Sequence, residues 1–156
     1  DFHMSGLGIA IAVHLLAIVW WIGGLAFVTA VFLPAIRHDF GNDPQAIFHS
    51  IENRFAPQAR IALFLVGLSG LYLLWKLHAW SWLADMKFWW LDAMILYWIL
   101  FVVLLFVLEP AGVLKRAMHT GSDKSAVWKK MQYFHVVMLI IAFVIIAGAS
   151  AGSHGF

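Results

Sequence analysis

A chain of 156 residues that is 63% hydrophobic and 12% charged, with a mean hydropathy of +0.88, carries about half the charge of an ordinary soluble domain, which excludes a soluble globular fold. Its formal charge of +2 is small and gathered in loops, arguing against nucleic acid as a partner. The absence of cysteine excludes disulfides, thiolate zinc sites, iron–sulfur clusters and haem attached through Cys-x-x-Cys-His, so any cofactor is held by His, Met, Lys, carboxylate or aromatic groups.

The pattern predicts an all-α fold, a four-transmembrane-helix bundle forming a single integral membrane domain over 1–156. The first helix is expected over about residues 7–34. From Phe2 to Ile36 there is no Asp, Glu, Lys or Arg, and Pro34 with Arg37-His38-Asp39 is expected to end it. No signal peptide is expected, because the N-terminus is acidic and the first apolar run lacks a basic leader and a small-residue cleavage site. Asn42-Asp43-Pro44 signals a turn, and residues 45–55 a short amphipathic helix at the interface. The second span is expected over 60–80, with Gly67, Ser69 and Gly70 as a small-residue face suited to close helix packing. A short Trp-rich link, His78 to Lys87, belongs at the membrane interface. The third span is expected over 88–108, with Asp92 one and a half turns inside it and Glu109-Pro110 closing it. After a basic loop the fourth, over 131–151, carries His135 early and the small-residue run Ala147 to Gly152 late. No internal repeat stands out.

Eight basic residues, Arg37, Arg54, Arg60, Lys115, Arg116, Lys124, Lys129 and Lys130, fall on the side of the first and third loops, against Lys76 and Lys87 on the other. The positive-inside rule then makes the two basic loops cytoplasmic and places both termini on the outer side. In a bacterial inner membrane that side is the periplasm.

Among polar groups at membrane depth, His14 stands out, because an imidazole without water needs a partner, and neutral histidine is the commonest metal ligand. The alternative is a histidine bonded to a Ser, a Thr or a backbone carbonyl of a neighbouring helix. His14 lies roughly 10 Å below the outer edge and His135 about 7 Å above the inner one, so their depths differ by about 10 Å. Two axial nitrogens of one haem lie only about 4 Å apart. Two sites, outer and inner, are therefore expected in place of one haem shared by both. Outer candidates beside His14 are Lys87, His78, His154 and His3; inner ones beside His135 are His49, His38 and His119. Asp92 is either an ion-pair partner of Lys87, a proton-transfer group, or an acceptor orienting His14.

The segment from His14 to Pro34, with Trp21, Gly23-Gly24 and Phe27, resembles the first helix of the CopD/HemJ group of bacterial membrane proteins, which includes copper-resistance D domains and HemJ-type protoporphyrinogen oxidases. Arg54-Phe-Ala-Pro-Gln-Ala-Arg-Ile-Ala-Leu, leading to Gly67 and Gly70-Leu-Tyr-Leu, is similar to the group's second helix, and Trp82-Leu-Ala-Asp-Met-Lys87 to the start of the HemJ third helix. The likeness covers most of the chain. Departures are Met131-Gln-Tyr-Phe-His135, where HemJ proteins have an Asn-Glu-x-Pro-like motif, and Asp92. The resemblance implies haem b held with the help of His14 and Lys87, or copper transport if the CopD side prevails. The expected function is electron transfer within or across the membrane by a haem b protein, with quinone or a redox subunit as partner, alone or in an oligomer. Copper passage along His14, Asp92 and His135, or a non-catalytic accessory role, is the alternative.

Overall fold

The computed structural model describes residues 5–39, 44–112 and 124–155, and among them there is no strand. The helices are α1 (Gly6–Phe27), α2 (Leu33–Asp39), α3 (Pro44–Lys76), α4 (Trp89–Val102) and α5 (Lys124–Ser153). Four stretches are long and apolar enough to cross a bilayer: Gly6–His38, Ala46–Lys76, Met86–Leu108 and Ala126–Ser153. The protein is an all-α bundle of four membrane-spanning helices.

Named contacts give the order of the bundle. His14 of α1 meets Ser69 of α3, Trp98 of α4 donates to Leu63 O of α3 at 2.9 Å, and Tyr97 of α4 donates to Met138 O of α5 at 3.0 Å. Gln132 of α5 closes the ring on the first span through Thr29 O. Each span therefore lies beside the next, and the fourth beside the first. On α1 the buried Ala10, Ala17, Trp21 and Leu25 recur at spacings of seven, four and four residues, which put side chains on one helical face. Trp21 reaches across the bundle to Tyr97 and Phe101, with ring centroids 5.5 and 5.1 Å apart, and these three rings fill the core with Ala62, Leu63 and Met138.

The first span does not end at Pro34. It passes through one π-helical segment, Val28–Phe32, and continues as α2. In that wider register the N–H of Leu33 bonds Val28 O, five residues back, and Pro34 would bond Thr29 O if it had an N–H. The orphaned Thr29 carbonyl instead receives Gln132 Nε2 at 2.8 Å. The third span repeats the π segment and the borrowed donor, but it closes there, at Glu109-Pro110. A π-helical segment, Val103–Leu108, precedes Pro110, the N–H of Glu109 bonds Leu104 O at 2.9 Å, and the Leu105 carbonyl that Pro110 cannot serve receives Arg60 Nε at 2.9 Å. Arg60 also pairs with Glu109. The fourth span thus serves the first as the second serves the third, a two-fold relation that no residue-level repeat reveals.

Residues 45–55 are likewise not a separate helix lying on the interface. They begin α3, which runs unbroken through Pro57 into the second span. Proline leaves the Asn53 carbonyl without its usual donor, but Asn53 is exposed, so the loss falls on the polar side. The apolar residues of this segment pack instead on the extension of the first span, where Phe32, Leu33, Ile36 and Phe48 bury together with Trp128 of α5. Leu33 and Ile36 are 0% and 1% exposed, so this second core is as closed as the first.

At the opposite end α3 stops at Lys76, and His78, a non-glycine residue in the left-handed region (φ 52°), turns the chain into two 3-10 segments, Ala79–Ala84 and Met86–Phe88. Asp85 Oδ1 accepts from the Lys87 N–H at 3.0 Å, and Trp82 stacks on Phe88 at 4.5 Å. The small-residue faces hold aromatic rings more than helix backbones. Gly67 lies under Trp98, Gly24 under Phe55, and Gly148 and Gly152 under Trp89 and Trp90.

Candidate functional site

His14 lies on the core-facing stripe of α1, between Ala10 and Ala17, and is half-buried. Its Nδ1 lies 2.9 Å from Ser69 Oγ. The Ser69 hydroxyl has a single proton, and its oxygen lies 2.6 Å from Leu65 O and 3.2 Å from Val66 O, acceptors on its own helix. With that proton committed, Ser69 Oγ can only accept from the imidazole, so Nδ1 carries the hydrogen and Nε2 keeps its lone pair. Gly70 completes the socket, since a Cβ there would stand 3.3 Å from His14 Cε1. The alternative set out for this histidine, a hydroxyl partner on a neighbouring helix, is what the structure contains. It is also the arrangement of a metal-ligating histidine, which donates its other N–H to a protein acceptor.

His135 has the same chemistry by a different route. Its Nδ1 lies 2.8 Å from Met131 O one turn back; a carbonyl only accepts, so in the neutral ring Nδ1 carries the hydrogen and Nε2 the lone pair. Beside Ser69, the Val66 carbonyl is a second acceptor for the His14 ring. Between the two histidines the core is the Trp21, Tyr97 and Phe101 packing, beside which lies an apolar cavity of about 50 Å³ lined by Ile18, Val66, Met94 and Ala142 among others. That is well below the roughly 300 Å³ at which ordinary ligand pockets begin.

The other candidates do not gather around His14. Lys87 is exposed, its backbone N–H held by Asp85, and no described residue pairs with its ammonium group. Asp92 lies six residues inside the span Met86–Leu108, in the first turn of α4, and there its charge favours the helix dipole. It makes no ion pair with Lys87 and no bond to His14. His49 faces Glu52 at 3.5 Å in the part of α3 that packs on the second core. His78, His38 and His154 are exposed, His154 with its Nδ1 bonded to Ser150 O at 2.7 Å. His3 and His119 lie outside the described residues. Among the described residues no three His, Asp or Glu side chains gather as a metal-holding group.

These positions set an expectation for the outer end. Lys87→Met and Asp92→Asn should each shift stability by less than about 0.5 kcal/mol, the range of surface substitutions. A thermal melt of either variant in mild detergent checks it, and a large loss would show that the two hold each other in place.

Residue-type reasoning misses Ser69 as the orienting group of His14, and it misses Arg60, which counts only as a loop cation. The signal for Arg60 was present, in that Glu109-Pro110 repeats a span-ending proline and supplies an anion at the matching depth. Comparison of the chain with family models, curated proteins and solved structures finds no match.

Proposed function

We propose that this protein is a membrane redox protein that binds haem b through His14, with His135 at a second, inner position. The observation that supports it is the contact of His14 Nδ1 with Ser69 Oγ, whose own proton goes to Leu65 O: it favours the Nδ1–H form and leaves Nε2, in an apolar bundle, as a neutral donor of the kind iron takes. His135, oriented by Met131 O, offers the same donor. The resemblance to the CopD/HemJ group adds to this reading at His14; Lys87, which the resemblance also implies, is kept as an interfacial group near the outer end. The fit lies in the donor chemistry and not in a ready cavity, because the core beside Trp21 is filled.

A bound haem would supply one-electron transfer. The chain's own contributions are orientation by Ser69 and Gly70 and exclusion of water by the aromatic core. Electrons would pass to quinone or to a redox subunit in the membrane. Copper is the second group that a neutral imidazole would take, and it serves as the competing outcome.

The visible spectrum of the purified protein tests the reading. A Soret band with reducible visible bands, lost in His14→Ala, is expected. Stoichiometric copper without that band replaces haem by copper, and neither group bound leaves an accessory role. The orientation proposed, with the basic end cytoplasmic, is tested by impermeant thiol labelling of intact cells. Ser81→Cys should react and Asn53→Cys should not, both sites being exposed at opposite ends; the reverse result inverts the topology.

A further inference from the structure

A groove of about 450 Å³ runs along the outside of the bundle between the first and second spans, within the range of ligand-sized sites. Its floor is Ala17 and Ala62, small residues that are 6% and 4% exposed, and its walls include Leu16, Trp20, Ile61 and Leu65, all exposed. The groove is apolar along this length and changes character at one end. Gln58 closes the lining there, and Arg54, one turn further along the same helix, is exposed. Residues four apart share a helical face, so the guanidinium follows Gln58 on the groove side of α3. Gln58 Nε2 donates one hydrogen to Arg54 O at 3.2 Å, and the Arg54 guanidinium supplies a cation at that end. On the facing wall the next position of the α1 stripe after Trp20 is Gly23, where a side chain would meet nothing within 4 Å. The wall is absent where the groove approaches the charge.

An apolar trough ending at a cation near the membrane boundary is complementary to an acyl chain joined to an anionic headgroup. We infer that the groove between the first and second spans is a binding site for an anionic phospholipid, drawn from the leaflet at the basic end of the bundle. The acyl chain lies along Ala17 and Ala62, and the phosphate meets Arg54. The site is separate from the His14 socket, which faces Ser69 and Gly70, so it does not depend on which cofactor is bound.

Native mass spectrometry of the delipidated full chain tests this, with dioleoyl phosphatidylglycerol and dioleoyl phosphatidylcholine titrated separately. One phosphatidylglycerol should bind about tenfold tighter than those that follow. Gly23→Leu, which fills open space and replaces a poor helix former with a good one, should abolish that first step while leaving the fold intact. Arg54→Gln should weaken phosphatidylglycerol about fivefold and leave phosphatidylcholine unchanged, the effect of one cation near a charged headgroup. Circular dichroism of both variants keeps misfolding apart from loss of the site. Equal, statistical binding steps in the parent protein would overturn the proposal, as would an unchanged first step in Gly23→Leu. So would co-purified isoprenoid quinone that Gly23→Leu removes while the tight phosphatidylglycerol step survives, since the groove would then have another occupant.

Discussion

Replacing Arg60 by leucine is expected to cost about 3 kcal/mol of stability, because it leaves two acceptors unmatched at once. Glu109 loses its ion-pair partner, and the Leu105 carbonyl, which Pro110 cannot serve in the π register, loses the guanidinium Nε–H. Both side chains of the pair are largely withdrawn from solvent, at 28% and 18% exposure, so water makes up little of the difference. The loss should appear as a fall of roughly 6–12 °C in the unfolding midpoint in mild detergent. Arg60→Lys should recover only part of it, since one ammonium group cannot match a guanidinium that reaches a carbonyl through Nε and a carboxylate through its terminal nitrogen. Glu109→Gln keeps an acceptor and should cost less than Arg60→Leu. Equal stability of Arg60→Leu and the parent protein would mean that the Leu105 carbonyl finds another donor, and the two-fold correspondence with Thr29 and Gln132 would lose its energetic meaning.

That correspondence marks the boundary of what the sequence makes legible. The four spans follow from runs of apolar residues long enough to cross hydrocarbon, because every backbone group in lipid must bond within its own helix. The location of the bends does not follow. Pro34 and Pro110 both read as terminators, and the third span does close at Glu109-Pro110 after Leu108, but at Pro34 one π segment lets the first span continue as α2. Periodicity is also silent on residues 45–55. Their amphipathic pattern suits a helix lying on the membrane equally with one standing against Phe32, Leu33 and Ile36, and only the presence of that complementary stripe decides.

The candidate site divides in the same way. His14 is conspicuous because it is ionisable in an uncharged run, and its partner Ser69 is inconspicuous because serine in a small-residue face has an ordinary packing use. Depth reasoning puts Lys87 and Asp92 near His14 along the membrane normal but says nothing of direction around each helix. Asp92 does lie six residues inside the span Met86–Leu108, in the first turn of α4, but makes no bond to His14.

Ser69→Ala is the substitution that separates an oriented ligand from a merely buried histidine. In the parent protein the Ser69 oxygen accepts from His14 Nδ1 at 2.9 Å while its own proton goes to the α3 backbone, so only one imidazole tautomer is favoured. Alanine removes the Ser69 acceptor and leaves only the backbone contact at Val66, so the hydrogen is held less firmly on one ring nitrogen. If His14 Nε2 is an axial ligand, affinity for added haem should fall about 10- to 100-fold, the usual effect of losing an orienting partner of a metal-bound histidine. Haem titration of the stripped protein reads this, and the reduction potential of the remaining bound fraction should shift as the ring loses its fixed orientation. Nitrogen NMR of the histidine ring supplies a readout that needs no bound group: the parent should show the Nδ1–H form, and Ser69→Ala a mixture. Gly70→Ala acts on the same ring by contact, its Cβ standing 3.3 Å from Cε1, and should lower haem affinity without changing the tautomer. A tautomer mixture in Ser69→Ala with unchanged haem affinity would leave the Ser69 bond as packing alone and move the ligand role away from His14.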